Sequence, residues 1–412
     1  MTNFKKQIVS AAAAGAMIFN IVTPAFASTE IVISGNGAGS ENWATVGQTN
    51  TTTVTQNNSA NVTNNVNADA KTGGNDANFN TGGNVTVDTG DAKTDVSVSN
   101  ALNSNSADVD CCAAGDINVE VSGNGTLGQG GSKNGVTLGL TNTNSISQNN
   151  NARVNNDIDT DAETGYNDAN SNTGGDVTIK TGKATAGATV STTANVNSAK
   201  IGGGLGGNNN PSASFVISGN GAGSKNYITA GLNNVNSVNQ SNNAHVNNNV
   251  DADAKTGEND AEFNTGGDVV IDTGDAMTDV DVANAVNFNN ADVDCGCLLD
   301  VLAKVHGNGA TSDNLLTLGL TDVQSIGQSN EACLYNDVDG DAKTGKNDAN
   351  SNTGETDTDP SVHTGNATSN TDVENSGNVN NVGDGGFEMP EMPDVDFDFS
   401  LAFLWAWFGM NA

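Results

Sequence analysis

Ser34-Gly35-Asn36-Gly37 returns as Ser122-Gly123-Asn124-Gly125 and Ser218-Gly219-Asn220-Gly221, with a variant at His306-Gly307-Asn308-Gly309. The steps are 88, 96 and 88 residues. Two further markers keep the same order. One is a glutamine opening an Asn-rich run, at Gln56, Gln148, Gln240 and Gln328. The other is a Thr-Gly turn followed by Asn-Asp-Ala, beginning at Thr72, Thr164, Thr256 and Thr344. Three independent markers in one order define a fourfold repeat, and such self-similarity takes precedence over any local reading of the fold.

Within a unit, apolar and polar residues alternate, as at Ala60 and Val62, Val85 and Val87, and Val96 and Val98. That period of two is the signature of strands. Thr-Gly turns at Thr72, Thr81 and Thr89 punctuate the runs. Thr and Val suit a pleated surface, while Gly and Asn accept the positive φ of tight turns. The pattern predicts an all-β fold, a repetitive β-solenoid built from four units of about 90 residues, in which each strand pairs with its equivalent in the next coil. Stacked Asn residues would form amide ladders. Coils of about 20 residues are expected, about 18 in all, giving a rod near 85 Å long. Tandem small β-sandwiches and a largely disordered chain are the alternatives.

Composition limits the core. Of 412 residues, 35% are hydrophobic but only 4% aromatic, so the apolar interior must be built from Val and Ala and be thin. The formal net charge of -34, with Arg153 as the only arginine, argues against nucleic acid as a partner, because phosphate binding needs clustered basic residues. No enzyme constellation stands out, and the acids are distributed by the repeat rather than gathered in one cleft.

The N-terminus reads as a secretory signal over residues 1–27. Lys5 and Lys6 precede an apolar run from Ile8 to Val22, and Ala25-Phe26-Ala27 has the form of a cleavage site. The expected organisation is then repeat 1 at 28–121, repeat 2 at 122–217, repeat 3 at 218–305 and a partial repeat 4 at 306–354. Pro360 and the acids before it suggest a cap or linker over 355–386, and 387–412 is an apolar aromatic tail. The tail run Phe397–Phe408 is short for a bilayer span, and its Trp and Phe suit contact with a membrane surface or with another subunit.

Two sets of side chains are candidate sites. Asp157, Asp159 and Asp161 lead to Asp168, and Asp337, Asp339 and Asp341 lead to Asp348. This spacing is that of an oxygen-rich calcium loop, although Ala162 and Ala342 stand where an EF-hand has glycine. The most repeated carboxylates, Asp69, Asp161, Asp253 and Asp341 with Asp76, Asp168, Asp260 and Asp348, are the expected calcium ligands, spread along the solenoid. The other set is Cys111, Cys112, Cys295, Cys297 and Cys333, which an oxidising compartment would draw into disulfides. An odd count leaves at least one thiol free or bonded to another chain. Zinc would need converging ligands, and His245, His306 and His363 are scattered.

The segments Ser145–Ala152 and Ser237–Ala244 resemble curlin repeats, the Ser/Gln/Asn-rich units of bacterial surface amyloid, and the chain as a whole resembles Asn/Gly/Thr-rich β-roll adhesins in texture. The resemblance implies a non-catalytic surface filament or adhesin. The expectation is therefore a secreted structural or adhesive protein that associates with itself or with other cell-surface components. The alternatives are an extracellular module binding glycan or ice, and a carbohydrate-active β-helix enzyme.

Overall fold

The computed structural model describes residues 20–22, 29–109, 116–125, 132–202, 212–294, 300–354 and 360–383. All of the regular structure among them is β, and the sheets are parallel. The fold is a repetitive β-solenoid, but each sequence unit makes one coil, not several. The first coil contains β2 (Thr29–Ser34), β3 (Glu41–Gly73), β4 (Val85–Asp88) and β5 (Ala92–Val109). The second contains β6 (Ile117–Ser122), β7 (Lys133–Gly165), β8 (Val177–Thr181) and β9 (Ala184–Gly202). The third contains β10 (Ser212–Ser218), β11 (Lys225–Gly257), β12 (Val269–Thr273) and β13 (Ala276–Asp294). The fourth contains β14 (Asp300–His306), β15 (Asp313–Gly345), β16 (Ser361–His363) and β17 (Ala367–Val382). Corresponding strands of successive coils pair in register, as in the order β3, β7, β11, β15. A short β1 (Asn20–Val22) pairs with Ala107–Val109 on the free side of β5.

The expected rod of many short coils is thus corrected to a plate four coils deep. Strands of 33 residues span about 110 Å, while four layers at ~4.8 Å are only about 19 Å thick. The short-coil reading fails because the Thr-Gly signals at Thr72, Thr81 and Thr89 share one broad corner. The Asn-rich run after Gln56 lies inside a continuous strand. Proline and acids near 360 do not end the fourth coil either. Residues 360–383, expected as cap or linker, carry β16 and β17 in register on β12 and β13, and so complete it. The uneven steps of 88, 96 and 88 are absorbed between strands. Ser122 to Lys133 is four residues longer than Ser34 to Glu41, and paired strands β3 and β7 keep a constant offset of 92.

Each coil is a flattened loop, with its long strand packed against the returning strands. Val54, Ile146 and Val238 on one wall meet Val109, Ala199 and Ile201 on the other. Ile158, Ala162, Val250 and Ala254 meet Val96, Ala186, Ala188 and Val280. The core is as thin as the composition demands, and amides interrupt it. Gln148 Nε2 donates to Gln56 Oε1 in the layer below and to Ser198 O across the coil, both at 2.8 Å. Gln240 repeats this with Gln148 Oε1 and Asn290 O. Beside them Asn58, Asn105, Asn150, Asn197, Asn242 and Asn289 pass hydrogen bonds of 2.8–2.9 Å back and forth between the walls. A buried amide without a partner costs several times what a satisfied one contributes, so the ladders fix the register layer by layer.

A bulge sits in the returning wall of every coil. Asn103, Asn195, Asn287 and Asn378 all have φ between 55° and 65°. Before Asn103 the even-numbered residues face inward, and after it the odd-numbered Asn105, Ala107 and Val109 do. One extra residue in the left-handed region shifts the alternation by one, and Asn tolerates that conformation better than most residues. The Asn195 amide also secures the kink by donating to Asn243 O at 2.6 Å.

Candidate functional site

The outward face of the long wall carries most of its acids at the end nearest the Thr-Gly corner. Successive outward positions align into columns: Asn65/Asp157/Asn249/Asp337, then Asn67/Asp159/Asp251/Asp339, then Asp69/Asp161/Asp253/Asp341. Asp157, Asp159 and Asp161 therefore lie in line on one extended strand instead of curling around a centre as a calcium loop would. The remaining expected ligands, Asp76, Asp168, Asp260 and Asp348, form their own column of single bridges beyond the turn. The structure so unites each set of four vertically. Among the described residues, no group of three or more His, Cys, Asp or Glu side chains is placed to hold a metal ion.

Like charges stacked one layer apart repel. Two features of the sequence soften this. In the outermost column Asn alternates with Asp, and Asn249 Nδ2 donates to Asp157 Oδ1 at 2.9 Å. The adjoining column reads Lys71, Glu163, Lys255, Lys343. Lys71 reaches Glu163 at 3.2 Å, Lys255 reaches Asp253 at 2.6 Å, and Lys343 reaches Asp341 at 2.5 Å. The relief is incomplete. Partial burial, then the charges of Asp159 and Asp253, raises the Asp161 pKa. Burial, then Asp260 and Asp76, does the same to Asp168. Asp251 and Asp260 are shifted upward from the same causes. At the open end the Lys343 hydrogen bond pulls Asp341 down instead.

At the other end of the wall Trp43 and Tyr227 stack with ring centroids 6.2 Å apart, although a whole layer lies between them. Gly135 makes room, since a Cβ there would stand 2.2 Å from the Trp43 ring. Next along the strand, Thr45, Thr137, Thr229 and Thr317 form one exposed column. Neither feature was legible without the register, which alone says which residues are neighbours.

Of the cysteines, Cys333 is exposed and carries a free thiol. Cys111, Cys112, Cys295 and Cys297 lie outside the described residues, as do the tail Phe397–Phe408 and all of residues 1–27 except Asn20–Val22. No helix among the described residues is long and apolar enough to cross a membrane. No family model matches the sequence, and no curated protein or solved structure matches it.

Proposed function

We propose that the chain is a secreted, non-catalytic structural or adhesive protein of the cell surface, and that its work is mechanical: to present a stiff, acidic, polar plate. One observation carries this reading. The coils repeat matched residues at most inward columns, and their acids recur as columns, so the carboxylates are spread through the stack rather than gathered at one centre. Calcium is proposed as the counter-ion of the Asp69 and Asp76 columns, where the raised carboxylate pKa values of Asp161 and Asp168 mark charge held at a cost. A second reading, an extracellular module for glycan or ice, is favoured by the Thr45/Thr137/Thr229/Thr317 column, a regular array of hydroxyls on an exposed face. The leader over residues 1–27 supplies the route out of the cell.

The test is location. Antibody against the plate should label intact cells, and added protease should remove that label without lysis. Label found only after lysis would overturn the surface reading.

A further inference from the structure

Among the described residues the stack has two open ends, and we propose that they fit each other, so that the fourth coil of one copy pairs in parallel register beneath the first coil of the next, adding a copy of this chain every four layers. It rests on the structural reading above and names the partner.

Three observations lead there. The first is the edges themselves. Among the described residues β3 and β15 are 33-residue edge strands paired on one side only, and edge strands of such length are normally shortened, bulged or covered. β1 shows that the first-coil edge accepts a parallel strand, since it occupies Ala107–Val109 of β5. β1 lies within the leader over residues 1–27, so removal of the leader frees those three residues for a second copy.

The second is unused bonding at both ends. Gln148, Gln240 and Gln328 each donate downward to the glutamine below as well as across the coil. Gln56, at the bottom, donates only across, to Ser106 O. In the Asn75/Asn167/Asn259/Asn347 column each Nδ2 donates upward at 2.9–3.0 Å, and Asn347 Nδ2, at the top, is shut from solvent with no acceptor. Gln328 Oε1 and Asn75 Oδ1 of neighbouring copies are the missing acceptors.

The third is glycine where the chain itself does not require it. In the column Gly90/Gly182/Gly274/Gly365, a Cβ on the upper three would stand 2.3–2.5 Å from backbone of the layer below. Gly125 and Gly309 likewise would meet backbone at 2.3–2.6 Å below them. Their first-coil counterparts Gly90 and Gly37 face open space and have no positive φ. A stacked fourth coil would restore the constraint.

Charge agrees. Following the register through the layers, Glu331, Asp337, Asp372 and Glu374 of the fourth coil would face Ser59, Asn65, Ser97 and Ser99 of the first, hydroxyls and amides rather than acids. His363 would face Asp88. Against these stand the like-charged pairs, with Asp341, Asp313 and Asp348 set beneath Asp69, Glu41 and Asp76, and Lys343 beneath Lys71. A head-to-tail contact of this kind does not close, so the product is a filament.

The experiment uses the purified secreted chain, freed of its leader, at ~0.15 M salt, where exposed charges are screened beyond about 8 Å. Sedimentation and electron microscopy should show filaments with an axial repeat of about 19 Å per copy. The double variant Gly37→Ala, Gly90→Ala should stay monomeric with an unchanged or raised urea midpoint. Ser97→Asp with Ser99→Asp, which face Thr189 and Ser191 internally, should raise the assembly concentration about tenfold. Adding Asp372→Lys and Glu374→Lys to that chain should restore assembly. A wild type that stays monomeric, a glycine variant that assembles like wild type, or a charge pair that gives no rescue would each overturn the end-to-end contact. Surface labelling of cells would stand or fall separately.

Discussion

Gln240 is an interior amide held by three hydrogen bonds, and replacing it with leucine separates what those bonds do from what its volume does. It is fully buried. Its Nε2 donates to Gln148 Oε1 and Asn290 O, and its Oε1 accepts from Gln328 Nε2, all at 2.8 Å. Gln240→Leu keeps the side-chain bulk but strands Gln148 Oε1, removes a donor from Asn290 O and halves the bonding of Gln328. A buried polar group left unpaired costs about 1–3 kcal/mol, so the loss should be about 2–4 kcal/mol. Gln56→Leu removes one donated bond and the one accepted from Gln148 in the first coil, where water reaches the column and can replace them, and should cost about 1 kcal/mol. Urea unfolding followed by circular dichroism reads both. With a slope on the order of 3 kcal/mol per molar, the midpoint should fall by about 1 M for Gln240→Leu and by about 0.3 M for Gln56→Leu. Equal shifts, or no shift for Gln240→Leu at unchanged slope, would refute the view that the amide ladders hold the coils in register.

Gly165→Ala should cost more than about 3 kcal/mol, because φ is +118° and a Cβ would stand 1.9 Å from Gly257 O, whereas Gly345→Ala, whose Cβ meets only a Thr364 methyl at 3.6 Å, should cost about 1–2 kcal/mol in the same urea assay. Gly135→Ala should abolish the Trp43–Tyr227 stack, seen as a loss of near-ultraviolet dichroism, while lowering stability by less than about 1 kcal/mol because Trp43 is 62% exposed. Acidification should first stabilise the fold. The pKa values of Asp161, Asp168, Asp251, Asp260 and Asp281 are raised above 3.8, so the folded state binds protons more readily than the unfolded chain, and the melting temperature should climb as pH falls from 7 toward about 4–5. Asp275 and Asp341, shifted down by lysine partners and, for Asp275, by the Asn366 backbone, act in the opposite sense near and below 3.8; a melting temperature that declines steadily from pH 7 would contradict this balance. Millimolar calcium should raise the melting temperature relative to chelator, and identical melts would remove calcium from the account.

The fold class was legible because the markers at Asn36, Gln56 and Thr72 recur in one order and alternation persists between them. Coil length was not. Asn is both a turn former and, when stacked on itself, an interior residue, and nothing local distinguishes Asn58 in the ladder from Asn75 in the corner. The acidic columns could be read as repeated positions, but their geometry depended on register: Asp157, Asp159 and Asp161 fit a loop or a strand equally well by spacing. The parity change at Asn103 was present in the sequence as Val96, Val98 and Leu102 followed by Asn105, Ala107 and Val109, a one-residue slip that is visible once the bulge is known.

Pairing at an offset of 92 residues has a consequence for how the chain reaches this state. No strand finds its partner nearby, so each ladder begins by closing a loop of nearly a whole unit before any pairing rewards it, and contact order of that kind slows folding. The first coil has nothing to pair with until the second arrives. Once two coils are laid down, each later one meets a finished template, so nucleation is slow and growth is fast. A chain emerging N-terminus first would complete its nucleus only when β9 has cleared, roughly halfway along its length.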